Sequence, residues 1–150
     1  MLKRLTACLI LTASPLSAQA STELARQWGQ EASRLSVETA QLIHAVDLGQ
    51  RLEISETYTL DVYRFGRTSA DLARWIDGAR GPGDLGCLLR SMAAESEDQL
   101  IALEDPAGAQ RDSLSRLAVL FSNAERVASV AQKPLKDAQT PQRVANCSAQ

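Results

Sequence analysis

From Leu24 onward the chain repeats apolar residues at steps of three and four. Leu24, Trp28, Ala32, Leu35, Leu42 and Val46 fall on one face of a helical wheel, with Thr39 filling the gap and Ile43 widening the stripe. That spacing predicts an amphipathic α-helix, with Ser21 or Thr22 placed to cap its start. Gly29 weakens the helix locally. Between Asp47 and Arg51 the stripe loses phase around Gly49, which predicts a helix end or a kink.

Residues 52–66 read two ways. Leu52, Ile54, Tyr58, Leu60 and Val62 partly alternate, and Thr57-Tyr58-Thr59 favours a strand locally. Ile54, Tyr58, Val62 and Phe65 also fit a helical stripe that Leu72, Trp75 and Ile76 continue. A strand needs a partner, and no other segment resembles one, so helix is the expectation. Gly66 and the capping-box-like Thr68-Ser69-Ala70-Asp71 suggest a break inside it.

A third helical stripe spans Leu85 to Glu104, with Leu85, Leu88, Leu89, Met92, Ala93, Leu100, Ile101 and Leu103 apolar and Glu95, Glu97 and Asp98 wet. A fourth runs from about Gln110 to Gln132 through Leu114, Leu117, Ala118, Phe121, Ala124, Val127 and Ala128. Turn residues cluster at Gly78 to Gly86, at Asp105-Pro106-Ala107-Gly108 and from Lys133 onward. Short connections favour antiparallel neighbours. The expected fold is therefore all-α, an antiparallel bundle of about four helices over residues 21–132, followed by an irregular tail over 133–150.

The first twenty residues read as a secretory signal peptide. Lys3 and Arg4 open it, Leu5 to Ala13 is largely apolar, Pro15 breaks the run, and Ala18-Gln19-Ala20 offers small residues for cleavage. Leu5 to Ala13 is too short to span a bilayer core of about 30 Å, and no later run is long enough. Leu5-Thr6-Ala7-Cys8 has the look of a lipobox, but too little apolar chain separates it from Arg4. The expected destination is the bacterial periplasm or the exterior.

Composition changes this picture little. Aromatic residues make up only 4% of the chain, against a sheet-rich sandwich. Cleavage after Ala20 removes two of the 16 basic residues and none of the 18 acidic ones, so the formal net charge moves from −2 to −4. A mildly acidic chain argues against nucleic acid as a partner. Cleavage also removes Cys8 and leaves Cys87 and Cys147, an even count that in an exported chain predicts a disulfide tethering the tail to the third helix.

Candidate chemistry is sparse. His44 is the single histidine, so a His-based triad or zinc site would depend on it alone, and no second Glu-x-x-His run supports a di-iron centre. Phosphate-binding glycine loops and nucleophile elbows are absent. No catalytic residue, metal or cofactor is assigned. Arg64, Arg67 and Arg74 share one side of a helix, followed by Arg80, and guanidinium forks suit carboxylate or phosphate. Asp61, Asp71 and Asp77 interleave with them, so internal ion pairs explain the pattern equally well. Trp28 and Trp75 lie on the apolar stripes, as core anchors or as aromatic anchors for a partner.

The leading expectation is a non-enzymatic exported bundle that acts by protein–protein contact or self-association, as an accessory or adaptor in the cell envelope. A bundle binding a small molecule or cofactor in a cavity near His44 and Trp75 is the alternative. A hydrolase built on buried carboxylates ranks third.

Overall fold

The computed structural model describes residues 16–79, 83–104 and 110–132, with side chains from Ser21 onward. Four helices pack together: α1 (Leu16–Asp47), α2 (Glu56–Gly78), α3 (Gly83–Leu103) and α4 (Gln110–Ala131). No strand occurs among the described residues.

Each boundary has a local cause. Helix α1 ends where Gly49 adopts a positive φ of 71°, which glycine accepts without a Cβ penalty. There the Gly49 amide donates to the Val46 carbonyl at 2.9 Å and the Gln50 amide to the Ala45 carbonyl at 3.0 Å, the paired bonds of a Schellman cap. The loss of phase in the sequence thus marks a helix end. Helix α2 starts later than its stripe suggests, because the Ser55 hydroxyl accepts the Tyr58 amide at 3.1 Å and so caps the first turn. Leu52 and Ile54 lie before that cap and pack half-buried against the core as irregular chain.

Two expectations are corrected. Ser21 and Thr22 are interior to α1, which begins at Leu16. No break occurs at Gly66 either: α2 runs through it, and Ser69, instead of capping, donates its hydroxyl to the Phe65 carbonyl at 2.9 Å.

The packing register is antiparallel throughout. Thr39 meets Tyr58 and Trp28 meets Ser69 between α1 and α2. Gly66 faces Ser96 and Asp77 faces Gly86 between α2 and α3, while Gly29 faces Ala128 between α1 and α4. Arg111, at the start of α4, donates through Nε to Asp47 at 2.7 Å and holds that carboxyl below its usual range. The four helices therefore run up, down, up and down in a ring.

The ring is uneven. Helices α1 and α4 lie close along their length, as do α2 and α3, whereas the α1–α2 and α3–α4 contacts are looser. Small residues explain the close pairs. A Cβ built on Gly29 would stand 2.6 Å from the Ala128 Cβ, and one built on Gly66 would stand 3.1 Å from the Ser96 Cβ. The two pairs face each other across the large side chains. The Phe65 ring stacks on Trp28 at 5.2 Å between centroids and receives Phe121 edge-on at 5.1 Å.

Buried polar groups are satisfied within this core. Trp28 Nε1 donates to Ser69 Oγ at 2.8 Å. Thr39 donates to the Leu35 carbonyl at 2.6 Å and accepts the Tyr58 hydroxyl at 2.7 Å. Burial pushes the Tyr58 hydroxyl up to about 12, with the Thr39 hydrogen bond opposing part of that rise. The folded state thus favours the neutral phenol. Its contribution is complete below the ordinary tyrosine value near 10 and is lost as pH climbs toward 12, about 2–3 kcal/mol in all. Urea midpoints measured at pH 8 and near pH 11.5 should differ accordingly, and Tyr58→Phe should flatten that difference.

Candidate functional site

Helix α3 carries more apolar residues than the core can cover. Leu85, Leu89, Met92, Ser96, Gln99 and Leu103 form its inward stripe. Leu88 and Ile101, expected in the core, lie off that stripe and stand 43% and 65% exposed. On α2 the outward positions Leu60 and Tyr63 are 46% and 53% exposed, although their neighbours Val62 and Phe65 are buried.

The α2–α3 register brings several of these residues together. Counting back along α2 and forward along α3 from the Gly66–Ser96 contact places Leu60 level with the last turn of α3, which holds Leu100 and Ile101. Tyr63, Arg67, Ala70, Ala93, Glu97 and Leu100 line the adjoining groove, about 470 Å³ in volume. The result is an outward face with an apolar centre beside Arg67 and Glu97, while Arg90, which also lines the groove, pairs with Asp77. Neither Arg67 nor Glu97 has an ion pair among the described residues.

Comparison with family models, with curated proteins and with solved structures gives no match. Among the described residues no helix is long and apolar enough to cross a membrane. No group of three or more His, Cys, Asp or Glu residues there is arranged to hold a metal.

The arginine stripe divides. Arg64 turns into the α1–α2 groove, of about 410 Å³, whereas Arg67 lines the α2–α3 groove. In the first groove the charges are consumed internally. Asp61 accepts from Arg34 at 2.5 Å and from Arg64 at 3.3 Å, and Arg34 also reaches Glu31 and Glu38. The hydrogen-bonded Glu31 carboxylate raises the Arg34 pKa above its ordinary value. Arg74 pairs with Asp71 one turn back. Arg80 lies outside the described residues. The stripe is therefore not one anion site, and the interleaved aspartates account for Arg64 and Arg74 as ion pairs.

Trp28 is 2% exposed, so it anchors the core and offers nothing to a partner. Trp75 is half-buried against the same core. A cavity joining His44 and Trp75 does not form: His44 is exposed in the last turn of α1, Trp75 is near the end of α2, and the antiparallel register puts them at opposite ends of the bundle. The buried carboxylate that a hydrolase would need is not found among Glu97, Asp98 and Glu104, which face solvent, and Asp61 is committed to Arg34 and Arg64. Cys147 lies outside the described residues. Cys87 is half-buried near the start of α3, and Arg90 Nη2 lies 3.5 Å from its sulfur.

Sequence reasoning placed Glu97 on the wet face of the third helix but missed Leu60 and Ile101 as surface residues. The signal was present: Ile101 sits two positions before Leu103 and two after Gln99, hence off the three-and-four stripe those residues share.

Proposed function

We propose that the protein is exported and acts by protein–protein contact in the cell envelope, as a non-enzymatic accessory or adaptor. The carrying observation is the outward α2–α3 face, where Tyr63 and Leu100 line a groove with Arg67 and the exposed Leu60 and Ile101 lie toward one end of the same two helices. Interface centres favour aromatic and arginine anchors set in apolar surroundings. The other large features are accounted for within the fold: Trp28 by burial, and Arg34, Arg64 and Arg74 by neighbouring carboxylates.

Export draws support from two places. Cleavage after Ala20 would shorten α1 and bring Glu23 into its first turn, where a carboxylate meets the positive helix end. Hydrogen bonds from Arg26 and then Gln27 hold that carboxyl down to about 2, so it is charged. In addition, the two cysteines left after cleavage are an even count, which in an oxidising compartment would place Cys87 in a disulfide. We assign its partner as Cys147, which would tether the tail to α3 and close a loop of about 60 residues worth about 4 kcal/mol.

Two measurements test the reading. In the exported protein, non-reducing peptide mapping should find Ser21 as the first residue and Cys87 joined to Cys147. An intact Met1, or a free thiol at Cys147, would contradict it. A benzophenone side chain placed at Leu60 in the native envelope should give protein adducts that one at the exposed Val37 of α1 does not. Absence of adducts at Leu60 defeats the contact reading.

A further inference from the structure

Resting on that reading, we infer that the α2–α3 face is an isologous interface and that its occupant is a second copy of this chain. A two-fold interface uses one patch twice, so the patch must complement itself. This face does so. Its centre is apolar, and of the three charged side chains lining the groove Arg90 is held by Asp77, which leaves Arg67 and Glu97, opposite in sign and without an ion pair among the described residues. Under two-fold symmetry Arg67 reaches Glu97 of the partner subunit while its own Glu97 receives the reciprocal guanidinium. Tyr63 and Leu100 close over their counterparts between the two pairs.

A foreign partner fits less well. A uniformly acidic surface satisfies Arg67 and repels Glu97, and a basic one does the reverse, with like charges brought together at cost. The α3–α4 groove, lined by Glu95, Arg116, Val119 and Leu120 among others, also holds one cation and one anion, but it has no aromatic side chain and its Glu95 already accepts from Gln99 at 2.9 Å. The α1–α2 groove has its arginines bound to Glu31, Glu38 and Asp61, and the α1–α4 groove, lined by Arg26, Gly29, Gln30, Ser33 and Glu125 among others, carries no large apolar side chain.

Sedimentation equilibrium of the protein purified from its native compartment, over about 1–100 μM, tests the inference at concentrations suited to a modest interface. A monomer–dimer equilibrium is expected. Tyr63→Glu should raise the dissociation constant at least about 30-fold. Because Tyr63 is half out of the fold, thermal melting should confirm that this variant stays folded. Arg67→Glu and Glu97→Arg should each weaken the dimer, and the double variant should restore it. A monomer across the whole range overturns the inference, as does a dimer indifferent to all three single changes. The Leu60 adducts separate the two readings. Adducts of twice the chain mass support self-association. Adducts of any other mass, with a monomer in the centrifuge, overturn the second copy and leave the contact function standing.

Discussion

Phe65→Ala lowers the stability of the bundle by about 3–5 kcal/mol, the range for removing a buried aromatic. The ring is fully enclosed between Trp28, stacked at an interplanar angle of 12°, and Phe121, which meets it at 89°. Those three residues come from α1, α2 and α4, so the cavity left behind opens at the junction of the two close-packed helix pairs. Collapse to fill it would need whole helices to shift, and Gly29 against Ala128 already holds α1 and α4 at their nearest approach. Chemical denaturation followed by circular dichroism checks the value. Since small domains have roughly 5–15 kcal/mol in hand, the variant should lose from about a fifth to the whole of that reserve. A loss under about 1 kcal/mol, far below that range, would mean that the aromatic junction does not organise the fold.

Gly29→Ala is expected to destabilise the protein although alanine is the better helix former by about 1 kcal/mol. The new methyl would lie 2.6 Å from the Ala128 Cβ. Neither group can rotate away, because each Cβ is fixed by its helix backbone, so α1 and α4 must separate. Overpacking of that kind costs about 1–3 kcal/mol, and gains in helix propensity offset part of it. The decisive control is Ala128→Gly in the same chain. It removes the opposing methyl and should recover part of the loss, although the glycine introduced into α4 carries its own helix penalty. Additive melting shifts in the double variant would show that the two positions do not touch.

Much of the fold is legible because burial follows the three-and-four rhythm. Trp28, Ala32, Leu35, Leu114, Leu117, Phe121 and Ala124 are buried as their spacing requires. Gly49 signals the end of α1 through loss of phase. What the rhythm cannot convey is which pairs of helices lie closest. That depends on Gly29 meeting Ala128 and Gly66 meeting Ser96, and a small residue on a wheel looks the same whether it faces a helix or water. Gly66 reads as a break for that reason. The candidate face is less legible still. The sequence marks Arg64 and Arg67 as a single stripe, yet they lie on either side of the ridge of α2 and turn into separate grooves. Leu60 is seen to lie level with Ile101 only once the antiparallel register is known.

The close pairing of α1 with α4 has a consequence for how the molecule comes into being. A polypeptide made from its N-terminus presents α1 first and its nearest mate last. Until α4 has emerged, Phe121 is missing from the aromatic junction and the Gly29 surface has nothing to lie against. Consolidation is thereby deferred until α4 has been made, a delay that would suit the export proposed above.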